Sequence, residues 1–345
     1  MLYSPAKCRT FRRMEKTRYL LGQTQIPLSP IGLGCWQFSK GQGMAGSYWP
    51  ALSDEDTHAI VKASLDGGIS WFDTAEAYGN GASERSLSES LQRLEVSPGS
   101  VALATKWMPI FRRAASIGKT IQDRLDALDP FGIDLHQIHN PGSFSSVRSQ
   151  IREMARLVEE GRVRAIGVSN FSAKAFRKAQ SAAREFGISV ASNQMQYSLL
   201  NRKIEDNGVL HAAKEAGATI IAYSPLAQGL LTGKFHKDPE MIRSRPGPRR
   251  FLKRFRPASL EKTRPLVELL RRVAEDKSKD LNQEITPAQV ALAWTVQFHE
   301  DTIVAIPGAS KVEQARLNAG ALQISLSDDE LAHIDRSSKQ VLATL

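Results

Sequence analysis

The feature that most limits the fold is a rhythm: eight short apolar, β-branched runs, each followed by a stretch of helical period. The runs are "IGLGCW" (31–36), "ISWFDTA" (69–75), "VALATK" (101–106), "DLHQIH" (134–139), "VRAIGVSN" (163–170), "SVASNQM" (189–195), "ATIIAYS" (218–224) and "TIVAIPG" (302–308). Helical patterns fall between them at 55–66, 84–94, 145–159, 173–186 and 206–216. Strands that alternate with helices pair in parallel. Eight such strands, buried on both faces, predict an α/β fold closed as a (β/α)8 TIM barrel rather than an open sheet. A unit of roughly thirty residues suits eight units in about 250.

Local signals agree with this frame. Ser53 with Asp56, Ser310 with Glu313 and Ser327 with Glu330 have capping-box spacing, and Thr286 before Pro287 is a cap followed by a first-turn proline. Residues 19–30, "YLLGQTQIPLSP", predict a β-hairpin that plugs the N-terminal end of the barrel. One connection breaks the rhythm, running from 224 to 302 and holding helical patterns at 260–277 and 287–298. Extra helices are therefore expected before and after strand eight, with 225–285 as a lid region. The expectation is one barrel domain over 16–345, preceded by a basic, disordered leader over 1–15.

A chain of 345 residues that is 41% hydrophobic can bury a large core. Its formal charge of +10 sits largely in "MLYSPAKCRTFRR" at the start and in "RSRPGPRRFLKRFR" at 243–256, whose prolines describe a loop. A nucleic-acid role is disfavoured, because aromatics do not interleave with the bases in a stacking pattern apart from Phe251 and Phe255 in the loop. No apolar run approaches a membrane span. Two cysteines, Cys8 and Cys35, are too few for a disulfide framework or a structural zinc, so no metal is expected and a reducing, cytoplasmic setting fits best.

Barrel chemistry sits at the C-terminal ends of the strands. Those ends read Asp73 with Tyr78 just beyond, Lys106, His139, Ser169 and Asn170, Asn193 and Gln194, then Tyr223 and Ser224. Singly each has an ordinary explanation: a turn cap, a half-buried aromatic, a solvated lysine, a core histidine. Together they make a proton-delivery site for a carbonyl. An ammonium at Lys106 would favour the phenolate of Tyr78 and so strengthen the phenol as a donor; Asp73 would hold that ammonium, and His139 would fix the direction of the carbonyl oxygen. The glycines of "YGNG" allow Tyr78 to turn back over the strand end. "GQGMAG" (41–46) matches G-x-G-x-x-G, but "SYWPAL" follows it instead of a helix, so it reads as a barrel loop. Trp36, Tyr48, Trp49 and Trp107 are expected to line an aromatic substrate pocket beside it.

The stretches "FDTAEAYGNGASE", "LATKW", "DLHQIHNPG", "RVRAIGVSNF", "SNQMQYSLL", "IIAYSPLAQGLLTGK" and "AIPGASKVEQARLN" resemble, in order and spacing, those of the aldo-keto reductases. The resemblance implies a tetrad of Asp73, Tyr78, Lys106 and His139 that reduces an aldehyde or ketone with NADPH, Tyr78 being the general acid. It implies that Ser169, Asn170 and Gln194 hold the nicotinamide carboxamide and that Tyr223 stacks on the ring. Ser224, Leu226 and Gly308 would also bind the cofactor, and "GLLTGK", with Lys234, and the arginines of the basic loop would swing over the pyrophosphate. Ser310 and Lys311 would meet the 2′-phosphate, with Gln314 and Asn318 toward the adenine. The family often carries arginine at the position of Gln314, so the preference for NADP rests mainly on Lys311. Two other readings remain at this stage: a Schiff-base aldolase with Lys106 as nucleophile, and an NADPH-binding regulatory subunit, because "QMQYSLLNR" is similar to potassium-channel β subunits. Partners are expected to be a small carbonyl compound, with neither nucleic acid nor membrane.

Overall fold

A computed structural model describes residues 19–43, 50–243 and 252–345. The basic leader, Tyr48, Trp49 and most of the basic loop lie outside the described residues. Two short strands, β1 (Tyr19–Leu20) and β2 (Pro27–Leu28), pair antiparallel as the expected hairpin. Eight parallel strands follow: β3 (Leu33–Gly34), β4 (Trp71–Asp73), β5 (Ala102–Trp107), β6 (Ile133–Ile138), β7 (Val163–Ser169), β8 (Val190–Gln196), β9 (Thr219–Tyr223) and β10 (Ile303–Ile306). They neighbour one another in chain order. The first and last meet through bridges between Ile31 and Ala305 and between Gly34 and Gly308, so the sheet closes on itself.

Two apolar layers follow from the period-two alternation of side chains. Tyr19, Leu21, Ile26 and Leu28 of the hairpin pack inside the barrel against Trp71, Ala104, Leu135, Ala165, Ile221 and Val304. Residues of the opposite parity, such as Phe72, Leu103, Ile138 and Val168, pack outward against the helices. Each strand is thus apolar on both faces at its base, as its composition requires.

Three of the four expected caps form. Ser53, Thr286 and Ser327 each accept a hydrogen bond from the third helical residue. The box at Ser310 does not form. The helix Val312–Gly320 begins one residue later, with Lys311 at the cap and no side-chain cap bond, and Ser310 turns to Gln314 instead, whose Oε1 accepts from the Ser310 N–H at 2.8 Å and the Ser310 hydroxyl at 3.2 Å. The helix expected at 206–216 is split into Lys203–Asp206 and Val209–Glu215, because Gly208 adopts φ 79° between them. Ser116–Leu128 is a helix that no cap announces, since Ala115 has no side-chain acceptor. The extra helices stand where the long connection and the chain end place them: Pro257–Leu281 and Pro287–Gln297 before β10, Val312–Gly320 and Asp328–Thr344 after it. Among the described residues no helix is long and apolar enough to cross a membrane.

Candidate active site

The alternation that fills the lower barrel with apolar side chains also builds the site. Two residues beyond Trp71, Ala104, Leu135 and Ile221, the inward faces carry Asp73, Lys106, Gln137 and Tyr223. Lys106 Nζ donates to Asp73 Oδ1, to the Thr74 carbonyl at 2.7 Å and to the Tyr78 hydroxyl at 3.2 Å. Asp73 is 1% exposed and Lys106 is fully buried, so neither charge could persist there without the other. Tyr78 reaches the lysine from the loop after β4. Gly79 (φ 70°) and Gly81 (φ 82°) make that loop turn, and a Cβ on Gly79 would strike the Ser39 carbonyl oxygen. The His139 ring stands edge-on to Tyr78 at 5.6 Å between centroids, and the Trp36 ring stacks with Tyr78 at 5.9 Å.

The electrostatics refine the expectation for Tyr78. Burial raises its hydroxyl above the ordinary tyrosine value, and the opposing pull of Lys106 does not fully offset that. Tyr78 is therefore a neutral proton donor. Burial pulls Lys106 down, but Asp73 and Tyr78 hold it above the usual lysine value, so it stays an ammonium. Burial, with Lys106 adding to it, lowers His139 to about 3. Its imidazole is neutral at ordinary pH and carries a single N–H for a carbonyl oxygen.

Beside this group the ends of β7, β8 and β9 gather amides and hydroxyls. Ser169 Oγ and the Asn170 N–H both donate to the Gln194 carbonyl, at 3.1 and 2.9 Å. Tyr223 donates to Asn170 Oδ1 at 3.0 Å, while Asn170 Nδ2 donates to Ser169 Oγ at 3.0 Å. Asn170 occupies the left-handed region at φ 61°, which turns its side chain toward His139, whose carbonyl lies 3.4 Å from Nδ2. Ser224 (φ 53°) opens the next loop, where Leu226 and Lys234 are half-buried. Asn193 is not part of the cluster: its amide pairs with the Phe171 backbone.

The remaining expected residues fall in two groups. Gly308 meets Gly34 at the barrel seam, and the buried Asn318 approaches the Gly308 carbonyl at 3.4 Å. Ser310 and Gln314 bond to each other, and Lys311 is exposed beside them. Trp107 is a correction. It follows the inward-facing Lys106, so its side chain points the other way, into the layer under the helices. There it is 1% exposed, donates to Ser116 Oγ at 3.1 Å and carries the Arg112 guanidinium over its ring. It cannot line the mouth. Exposed apolar side chains near the rim are instead Phe111 and Phe144, whose rings lie 6.3 Å apart.

Two supports went unmarked in the sequence. Gln137 donates to Asp73 Oδ2 at 3.0 Å; its position two residues before His139 was the available signal. Glu76 and Glu84 flank the Tyr78 loop and share Arg124, at 3.0 and 2.9 Å, with Thr105 also donating to Glu84. Burial raises Glu84 to about 7 despite Arg124. Charged residues spaced like those of a solvated helix gave no sign of this buried pairing.

A (β/α)8 barrel with a buried lysine on a tyrosine hydroxyl and an amide cluster alongside defines a class of oxidoreductase. Residues 30–339 match the model of the aldo/keto reductase family, and the chain belongs to that family. It is 38% identical over 303 residues to an uncharacterized oxidoreductase of Mycobacterium tuberculosis, covering 87% of this chain and 86% of that one. It is 30% identical over 323 residues to a probable aldo-keto reductase of Glycine max, covering 91% and 86%. Among solved structures it resembles the glycerol dehydrogenase of Gluconobacter oxydans, with TM-score 0.79, 28% identity and coverage of 95% and 97%. An aldo-keto reductase of Klebsiella pneumoniae in complex with NADPH gives TM-score 0.68 and 26% identity, covering 94% and 95%.

Proposed function

We propose that the protein reduces an aldehyde or ketone to the alcohol with NADPH, Tyr78 supplying the proton. The single observation that carries this is the 3.2 Å contact from Lys106 Nζ to the Tyr78 hydroxyl, in a site where Asp73 keeps the lysine charged. NADPH, when bound, supplies the hydride. The residues present suit such a cofactor: a primary amide needs both donors and an acceptor, which Ser169, Asn170 and Gln194 offer, and Tyr223 offers a flat ring. The Klebsiella relative with NADPH bound supports the same choice. Lys311 would meet the 2′-phosphate, and its exposure leaves it available to do so.

The chain's own part in the reaction follows from geometry. His139 donates to the carbonyl oxygen and fixes its direction. Charge that develops on that oxygen lies near the Tyr78 hydroxyl, which passes its proton as the C–O bond becomes an alkoxide. Lys106 stabilises the phenolate left behind, and Asp73 holds Lys106. A Schiff-base role for Lys106 fits poorly, because an amine nucleophile must be neutral and have a free lone pair. Lys106 is held as an ammonium whose three N–H groups meet Asp73, Thr74 and Tyr78. The buried free thiol of Cys35 suits the reducing conditions of a cytoplasm.

The test is a panel of carbonyl compounds assayed by NADPH oxidation, with NADH in parallel. Carbonyl-dependent oxidation that Tyr78→Phe abolishes, with NADPH binding near normal, supports the reading. Equal loss of turnover and binding in Tyr78→Phe would refute the division of roles, and slow turnover on every compound would favour a cofactor-binding regulatory subunit.

A further inference from the structure

The proposed reaction uses one oxygen of Asp73; the other is held by two glutamine amides, from β6 and β8. Asp73 Oδ2 accepts from Gln137 Nε2 at 3.0 Å and from Gln194 Nε2 at 2.9 Å. Gln194 Nε2 also lies 3.3 Å from Gln137 Oε1. All three side chains are nearly or fully buried. A carboxylate can only accept, so both amide nitrogens must face it. That fixes which way each glutamine lies. Both N–H groups of Gln194 are then directed inward, and Oε1 is the atom it can offer to a bound amide.

We propose that Gln137 is a positioning residue for the reaction: it fixes Asp73 so that the opposite oxygen faces Lys106, and it orients the Gln194 amide toward the nicotinamide. Asp73 is the joint between the two halves of the site. One of its oxygens meets the proton-delivery pair and the other meets a cofactor ligand 121 positions away in the chain. Room for the device is built into the next strand. A Cβ on Gly167 would come within 3.1 Å of Gln137 Cγ and would strike Ser192 Oγ. The absence of a side chain there lets the Gln137 amide lie across the barrel. The titratable groups facing Asp73 are Lys106 from β5, Tyr78 from its loop and Cys35 from the end of β3, with His139 next to Lys106. None of them can replace an amide donor on Oδ2.

The proposal rests on the carbonyl-reduction reading, and two variants separate their fates. Gln137→Met keeps the length of the side chain and removes both hydrogen bonds. It should lower kcat roughly tenfold or more, the effect of losing one hydrogen bond to a charged group, with the KM for the carbonyl little changed. NADPH affinity, read by quenching of tryptophan fluorescence, should weaken several-fold because Gln194 loses its direction. Gln137→Glu should be rescued at the acid end of the pH range, where its protonated carboxyl donates to Asp73. It should fail as pH rises and two carboxylates face each other. A Gln137 that only fills space predicts variants whose pH profiles run parallel to the wild type and whose NADPH affinity is unchanged, and that result overturns the proposal. So does a collapse of the melting temperature in both variants, which would make Gln137 a residue of the fold. If the wild type oxidises no NADPH with any carbonyl, the functional reading fails first, and the fluorescence titration still decides whether Gln137 orients Gln194.

Discussion

At the scale of single residues, the site depends on a charge pair that is costly to bury and costlier to break. Removing one partner of such a pair leaves the other charge uncompensated, at about 3–5 kcal/mol. Asp73→Asn is therefore expected to lose stability of that order in denaturant titration, together with turnover. His139 yields a pH prediction. Its pKa of about 3 in the fold lies below the ordinary value of 6.5, so its ring stays neutral over the working range. The reduction rate should show no step between pH 5 and 8 from an imidazole, and such a step would contradict the assignment. The same shift makes stability contributed by His139 complete above pH 6.5 and lost as pH falls toward 3. Glu84 behaves with the opposite sign. Burial raises it to about 7 from 4.5, so the folded protein keeps a proton that the unfolded chain releases. Its contribution is complete below pH 4.5 and disappears as pH rises to 7. Gln mimics the protonated side chain and does not titrate, so wild type should lose stability relative to Glu84→Gln across that window, which melts at several pH values would show.

Elements add what residues cannot. The loop after β4 brings Tyr78 back to Lys106 because Gly79 sits in the left-handed region, against the Ser39 carbonyl. Gly79→Ala should displace Tyr78 and cut turnover, while NADPH binding, which we propose for the ends of β7, β8 and β9, stays near normal; matched kinetic and binding assays would separate the two. The parity of β5 explains the misplacement of Trp107. A polar strand end draws attention to its neighbours, yet an adjacent residue points to the opposite face, and the sequence motif conceals this until the strand is registered. Gln137 is the converse case, since counting two back from His139 would have found it.

The whole molecule separates stability from chemistry along the barrel axis. The hairpin closes one end with Leu21 at 1% exposure, while the charged group and the amides occupy the other. Leu21→Ala should cost about 2–5 kcal/mol in stability and leave kcat nearly unchanged below the melting transition. A parallel fall in kcat would mean that the plug shapes the mouth.

The eight strands, the plug, the meeting of Asp73, Tyr78, Lys106 and His139, and three of the four expected caps were legible because each rests on a local pattern: period, turn chemistry or the polar residue that ends an apolar run. What the sequence by itself determined was therefore the barrel and the list of reactive groups at its rim. Only the tertiary structure decided that Gln194 meets Asp73 across the barrel, that Glu76 and Glu84 share Arg124, and that Ser310 donates to the Gln314 side chain instead of capping the helix that follows. Those pairings depend on closing the sheet, which brings together groups far apart in the chain, and no periodicity along a chain records which of its distant amides will face a buried carboxylate.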